Sequence, residues 1–260
     1  MLKNKTALVT GSTSGIGLGI AKALARQGAN IVLNGFGDVD GPRAEVLATG
    51  EAAGAQVAYH GADMSKPAEI EAMMAFAAEK FGRVDILVNN AGIQHVARIE
   101  AFPIEKWDAI MAINLSSAFH ATRLALPAMQ QANWGRIINV ASVHGLVGSA
   151  EKSAYVAAKH GVVGLTKVTA LENATSGVTC NAICPGWVLT PLVQKQVDAK
   201  AAAQGVSNEE AKKLLLGEKE PSQQFTTPEE LGELAVFFCS PAGDNIRGVA
   251  WNMDGGWVAQ

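Results

Sequence analysis

Tyr155 and Lys159 are residues whose types and spacing could do chemistry together. Four positions apart on an α-helix, their side chains lie on one face, with a rise of about 6 Å between them. Tyrosine ordinarily titrates near pH 10, but a neighbouring ammonium favours the phenolate and lowers its pKa. The pair could therefore act as a general base toward a hydroxyl proton, and Ser142 could hydrogen-bond the same oxygen. Taken alone, the spacing is more often that of an ordinary amphipathic helix.

A glycine-rich turn near the start of the chain could hold a phosphate. Residues 6–10 predict a short apolar strand and residues 18–27 a helix, with Gly11, Gly15 and Gly17 between them. Glycines let the backbone approach a pyrophosphate, and a helix N-terminus offers N–H groups and a positive dipole end. In this setting, dinucleotide binding is favoured over a plain tight turn, although the spacing differs from the commoner G-x-G-x-x-G.

The second predicted strand, residues 30–33, ends without the acidic residue that binds a ribose 2′-hydroxyl in many NAD enzymes. Asn34, Gly35 and Phe36 stand there instead, and no Arg or Lys is placed to hold a 2′-phosphate. The turn therefore favours NAD over NADP. Asp63, after the third predicted strand, could cap a turn or contact the adenine, and contact with the cofactor is the preferred interpretation.

Strand-like runs alternate with helical patterns along the whole chain. Such alternation predicts an α/β fold with a doubly wound, Rossmann-type parallel sheet and helices on both faces. The carboxyl ends of parallel strands share one edge, so the residues singled out here should meet there. Since no repeat or linker interrupts the pattern, residues 1–260 are expected to form a single domain. Further strands are predicted at residues 55–60, 85–88, 136–140, 178–184 and 249–253.

Two segments depart from this rhythm. Residues 107–129 predict one long helix or two abutting ones with Asn114 inside, which indicates either a local kink or a kink that holds a water in a proton path. Residues 192–222 fit neither strand nor long helix, although residues 207–210 resemble a capping box and Gly217 a helix stop. An insertion at this edge could be a helical substrate lid, at about residues 188–222, or a dimer contact.

Composition excludes several classes of function. A hydrophobic content of 48% and a charged content of 17% suit a globular protein, and a net charge of −3 gives no general attraction for nucleic acid. No apolar run is long enough to span a bilayer, and the first residues do not resemble a signal peptide. Cys180, Cys184 and Cys239 lie in apolar settings without a metal-ligand cluster. We therefore expect a cytoplasmic protein with no metal, membrane or nucleic-acid partner.

Taken in order, these motifs resemble the short-chain dehydrogenase/reductase family over essentially the whole chain. The resemblance is carried by the glycine turn, by residues 89–92, by the Tyr155–Lys159 pair and by Pro185-Gly186. It implies a catalytic tetrad of Asn114, Ser142, Tyr155 and Lys159. It also implies that NAD is contacted by Gly11, Thr13, Ser14, Gly15, Ile16, Gly17, Phe36, Asp63, Asn90, Ala91, Gly92, Tyr155, Lys159, Pro185, Gly186, Val188 and Thr190.

Within that family the chain is most similar to bacterial enzymes that oxidise (R)-3-hydroxybutyrate to acetoacetate, a reaction of ketone body metabolism. The similarity lies in residues 34–37, 89–95, 142–147, 152–161 and 181–187. Leu189 departs from it, since a basic residue is expected there. The resemblance implies a homotetramer, and substrate contacts by Gln94, Ser142, His144, Lys152, Tyr155, Trp187, Gln196 and Trp257.

Residue chemistry agrees with a hydroxy-acid substrate. Its carboxylate must be held away from the reacting hydroxyl, and Lys152 could supply a charge-assisted hydrogen bond. Taken alone, Lys152 would more often be a solvated lysine at a helix start. The alternatives are a related short-chain reductase acting on another hydroxy acid, an alcohol or a 3-oxoacyl thioester, and, from another class, a catalytically silent NAD-binding regulator.

Overall fold

The computed structural model describes residues 1–259, and within them seven strands form one parallel sheet. The strand order is β3-β2-β1-β4-β5-β6-β7, so the chain winds outward in both directions from β1. This topology confirms the predicted doubly wound α/β fold. The strands are β1 (Thr6–Val9), β2 (Asn30–Leu33), β3 (Val57–Tyr59), β4 (Ile86–Asn89), β5 (Gly135–Val140), β6 (Val178–Pro185) and β7 (Ala250–Met253).

Helices cover both faces of the sheet. Those that follow or connect the strands are α1 (Gly15–Arg26), α2 (Asp40–Gly50), α3 (Pro67–Phe81), α4 (Ile104–Met111), α5 (Ser117–Gln131), α6 (Ser153–Glu172), α7 (Pro191–Gln204), α8 (Asn208–Gly217) and α9 (Pro228–Cys239). Among residues 1–259, every helix is either too short or too polar to span a bilayer.

The strands are buried on both faces because successive side chains point to opposite sides. Ala7 and Val9 of β1 pack into a core that includes residues of α1 and α9, whereas Leu8 packs into a second core with residues of α3 and α5. This two-sided burial explains why the strands read as continuous apolar runs. The three cysteines, which lie in apolar stretches of the sequence, are buried as free thiols.

The segment around Asn114 is two helices joined by an irregular turn. A π-helical stretch, Ala112–Ser116, separates α4 from α5, and Asn114 is buried inside it. The Asn114 amide accepts a hydrogen bond from the Ile93 N–H and donates one to the Ile93 carbonyl, each at 2.9 Å. The amide therefore ties the π turn to the chain that follows β4, which explains why an asparagine is tolerated there.

Residues 191–217 contain two helices, although the sequence predicted only the second. Ser207 caps α8 by accepting the N–H of Glu210 at 3.2 Å. The two helices share a small apolar core of Val193, Val197, Ala201, Ala211 and Leu215, against which Trp187 packs. The helical pair is thereby linked to the carboxyl end of β6.

Candidate active site

A cavity of about 350 Å³ opens where the carboxyl ends of the strands meet. It lies at the point where the strand order reverses, which is where α/β sheets bind ligands. Of the residues predicted to bind cofactor or substrate or to act in catalysis, the structure places all but Gly17 and Asn114 in the cavity wall. Those two lie just behind it: Gly17 supports the glycine turn and Asn114 supports the loop after β4.

The glycine turn packs directly on the loop that follows β4. Gly11 has a φ of +61°, and a Cβ on it would lie 2.9 Å from the Ala91 Cα. A Cβ on Gly17 would lie 2.5 Å from the Asn90 amide nitrogen, which donates to the Gly11 carbonyl at 2.8 Å. Only glycine leaves room for this approach.

The first turn of α1 is open to a ligand. The helix begins at Gly15, and no side chain within residues 1–259 caps it at Ser14. Its free N–H groups and the positive end of its dipole face the cavity, as a pyrophosphate would require. The cradle therefore fits a dinucleotide.

The end of β2 is used for internal hydrogen bonds. Asn34 accepts from the Gly11 N–H at 3.2 Å and donates to the Ala62 carbonyl at 2.9 Å. Phe36 is 66% exposed at the rim of the cavity. Asp63 caps a turn, because its carboxylate accepts hydrogen bonds from the backbone N–H and the hydroxyl of Ser65, and these bonds lower its pKa. Asp63 also lines the cavity.

Lys159 anchors α6, the helix that also carries Tyr155, to the sheet. Lys159 is 4% exposed, and its ammonium donates to the Val140 carbonyl, at the end of β5, at 2.7 Å. Burial lowers the pKa of Lys159 to about 8. The ammonium lies 5.6 Å from the centre of the Tyr155 ring, one helical turn away.

The pKa of Tyr155 moves in the opposite direction to the one that the sequence predicted. Burial of the phenol raises it, and the nearby Ser142 hydroxyl opposes the rise only in part. The prediction of a lowered pKa was wrong for the protein alone, although the Lys159 ammonium lies 5.6 Å from the ring centre. Desolvation of the phenolate therefore outweighs the attraction of the neighbouring cation.

Ser142 and His144 form the wall beside the phenol. Ser142 accepts the His144 N–H at 3.2 Å, and its hydroxyl lies 3.4 Å from the His144 Nδ1. Burial, followed by the charge of Lys152, lowers the pKa of His144 to about 4, so the ring is neutral near pH 7. The imidazole packs edge-on between Tyr155 and Trp257, with ring centroids 5.9 and 5.4 Å away.

The far end of the cavity combines one cation with apolar walls. The Lys152 ammonium lies 5.2 Å from the centre of the Trp187 ring, and burial lowers its pKa, with a further contribution from Lys219. Trp187 in turn packs on Trp257 at 5.8 Å, and Gln196 reaches the same wall from α7.

Several donors around this end lack partners. Gln94 Nε2, His144 Nε2 and Trp187 Nε1 are buried and unbonded within residues 1–259. Buried polar groups are normally paired, so unpaired ones that border a cavity indicate a ligand with acceptor oxygens. A small hydroxy or keto acid has such oxygens at both ends.

Comparison with known proteins agrees with this geometry. Residues 5–201 match the family described as short chain dehydrogenase. The chain belongs to the short-chain dehydrogenase family. A D-beta-hydroxybutyrate dehydrogenase of Cupriavidus necator is 71% identical over 100% of both chains. One of Rhizobium meliloti is 55% identical over 98% of this chain and 99% of that one. The crystal structure of levodione reductase is 32% identical, with a TM-score of 0.92 over 100% of this chain and 99% of its own.

One buried group of this short-chain dehydrogenase was missed by sequence reasoning. Glu220 is 1% exposed, and its Oε1 accepts the Trp187 N–H. Burial and the nearby Asp254 raise its pKa to about 7, although the Trp187 N–H opposes the rise. In the sequence it stands in the charged run Glu218-Lys219-Glu220, which is typical of a solvated surface. No local pattern marks it, because its partner lies 33 positions away.

His144 and Glu220 should impose opposite pH dependences on stability. His144 has a lowered pKa, so its contribution to the free energy of unfolding rises with pH between about 4 and 6.5. Glu220 has a raised pKa, so its contribution to that free energy falls with pH between 4.5 and about 7. Relative to the parent protein, H144Q should lose stability as pH rises from about 4 to 6.5, and E220Q should gain stability from 4.5 to about 7, each by about 3 kcal/mol.

Urea denaturation of the three proteins at several pH values, at one protein concentration, measures these differences. The comparison with the parent protein cancels the contributions of the other titrating groups. Parallel stability curves for all three proteins would contradict the assigned protonation states.

Proposed function

We propose that this protein is an NAD-dependent 3-hydroxybutyrate dehydrogenase, which interconverts (R)-3-hydroxybutyrate and acetoacetate. The observation that carries the proposal is Lys152, a half-buried cation in the same cavity as Tyr155 and Ser142. Two relatives of that name, with 71% and 55% identity over nearly the whole chain, support it.

Lys152 holds the substrate carboxylate. It begins the first turn of α6, three residues before Tyr155, so a bound acid spans the short distance from anchor to base. Gln94, His144 and Gln196 add hydrogen bonds, while Trp187 and Trp257 enclose the hydrocarbon part. A 3-oxoacyl thioester has no free carboxylate and would leave this half-buried cation without the charge-assisted hydrogen bond that a carboxylate provides.

Tyr155 removes the hydroxyl proton and Ser142 donates a hydrogen bond to the oxygen as it becomes a carbonyl. Bound NAD would supply the acceptor for the hydride of C3 and a positive charge that would favour the phenolate. Lys159 orients the ribose and remains fixed on the Val140 carbonyl. Asn114, held in the π turn on Ile93, supports a water relay that carries the proton to solvent.

The cofactor binds along the glycine turn, the end of β2 and the loops after β4 and β6. NAD is preferred to NADP because the end of β2 offers no cation for a 2′-phosphate. Its contacts are Gly11, Thr13, Ser14, Gly15, Ile16, Gly17, Phe36, Asp63, Asn90, Ala91, Gly92, Tyr155, Lys159, Pro185, Gly186, Val188 and Thr190.

The chain forms a single domain over residues 1–260, in which residues 188–222 are a lid over the substrate. The shared core of α7 and α8 supports this, because the two helices can move as one unit. Leu189, which departs from the family pattern, is 40% exposed on this segment.

The active form is a cytoplasmic homotetramer. Three helices carry large apolar side chains on their exposed surface, which an interface between copies would bury. These side chains are Ile104 and Trp107 of α4, Phe119 of α5, and Val168 and Leu171 of α6. The three free, buried thiols suit a reducing compartment.

A turnover assay with a panel of alcohols, hydroxy acids and thioesters, each with NAD and NADP, tests the proposal. We expect the highest kcat/KM with (R)-3-hydroxybutyrate and NAD. A higher kcat/KM with NADP would show that the turn after β2 had been misinterpreted. Absence of turnover with every substrate would favour the silent regulator.

Replacing Tyr155 with Phe should remove most turnover while NAD still binds, since only the ionisable oxygen is lost. With cofactor bound, the parent enzyme's oxidation rate should rise with pH through an apparent pKa below that of free tyrosine. Initial rates and NAD titration by calorimetry measure the two properties. Near-normal turnover by Y155F would exclude the phenol as the base.

Lys152→Ala should lower kcat/KM for 3-hydroxybutyrate about tenfold to a hundredfold, since a hydrogen bond to a charged group contributes roughly 1.5–3 kcal/mol. Turnover of an uncharged secondary alcohol of similar size should change much less. NAD affinity should barely change.

Lys80→Ala, an exposed lysine on α3, is the matched control and should affect neither substrate. Equal, small effects of K152A on acid and alcohol would rule out the carboxylate anchor.

A further inference from the structure

Glu220 links the helical segment to the substrate pocket. It follows α8 directly, and its backbone N–H donates to the Leu216 carbonyl in the last turn of that helix at 2.8 Å. Its side chain turns inward and accepts the N–H of Trp187, whose ring packs on Lys152 and Trp257. One side chain therefore spans from the end of α8 to the pocket wall.

The same chain segment holds Trp187 from both sides of its backbone. While Glu220 accepts the Trp187 N–H, the N–H of Thr226 donates to the Trp187 carbonyl at 3.0 Å. Thr226 also forms a parallel bridge with Val188. Residues 220–226 thus form a strap around the start of the loop that leads into α7.

The Glu220 carboxyl is tightly enclosed. A Cβ on Gly186 would lie 2.2 Å from its Oε1, and one on Gly255 would lie 3.2 Å from its Oε2. Oε2 is buried without a hydrogen-bond partner among residues 1–259. An ionised oxygen in that setting would be desolvated and uncompensated, which is strongly unfavourable.

Two charged residues, Asp254 and Lys219, lie near this part of the chain, and only Asp254 acts on the Glu220 carboxyl, where it opposes ionisation. Asp254, after β7, is the nearest acid, and its two oxygens accept the N–H groups of Gly256 and Val258. On the pocket side, Lys219 is near enough to His144 and Lys152 to lower the pKa of both.

We propose that Glu220 is a positioning residue which, as a neutral acid, holds Trp187 in the substrate wall and fixes α7 and α8 over the pocket. This inference rests on the proposed function for its substrate but not for its geometry. Opening of the helical segment would break the Glu220–Trp187 bond and expose the carboxyl to water. Closure would then bury it again in its protonated form.

Substrate binding should depend on pH, because the Glu220 carboxyl is buried in the closed form and exposed in the open form. The enclosed carboxyl keeps its proton up to about pH 7, whereas an exposed one loses it near 4.5. Closure therefore takes up a proton between these values, so raising the pH opposes closure until the pKa of the closed form is passed.

The test compares the parent enzyme with E220Q, which keeps the acceptor without ionising, and E220A, which removes it. At pH 7, E220A should raise the KM for 3-hydroxybutyrate about tenfold with kcat changed less than about threefold, and E220Q should restore most of the loss. Between about pH 5.5 and 7.5 the KM of the parent enzyme should rise by up to about twentyfold, whereas that of E220Q should stay within about twofold.

Hydrogen exchange at the Trp187 amide gives a readout that needs no turnover. Exchange should be about tenfold faster in E220A than in the parent protein and unchanged in E220Q. The inference is overturned if E220Q behaves as E220A, or if its KM follows that of the parent enzyme with pH. If the parent protein did not turn over 3-hydroxybutyrate, the proposed function would fail, while the exchange data would still decide the role of Glu220.

Discussion

The active site depends on one buried charge, the Lys159 ammonium bonded to the carbonyl at the end of β5. Burying an ammonium is unfavourable unless it is hydrogen-bonded, so this contact fixes the first turns of α6 against the sheet edge. Ser142 lies two residues after Val140, and a Cβ on Gly145 would lie 2.8 Å from the Lys159 carbonyl. The chain after β5 and the helix that carries Tyr155 therefore have a single relative placement.

How far the sequence predicted the structure depends on the range of the interactions involved. The strand order and the convergence of the site residues followed from alternation of elements, since parallel strands share a carboxyl edge. Asn114 signalled an irregular helix because an internal asparagine is locally unfavourable. The direction of the Tyr155 pKa could not be predicted, because it depends on burial by residues distant in the chain.

Burial also decides which groups in the cavity carry charge. It keeps His144 neutral, and behind Trp187 it favours the protonated form of Glu220, while Lys152 remains at the far end with Lys219 nearby. The cavity wall therefore carries the charge of Lys152 at its far end and that of Lys159 near Tyr155, while His144 is neutral. The Lys159 ammonium already donates to the Val140 carbonyl, so under the proposed function the substrate carboxylate is expected at Lys152.

The chain's own charges do not make Tyr155 a base. Burial raises its pKa, and the ammonium that could counter this is bonded to the backbone and has its own pKa lowered to about 8. Further positive charge within the cavity would favour ionisation of the phenol. Under the proposed function, a bound oxidised nicotinamide would supply that charge, whereas the reduced form would not. With Tyr155 as the proposed base, the phenolate would be favoured with the oxidised cofactor and the protonated phenol with the reduced one.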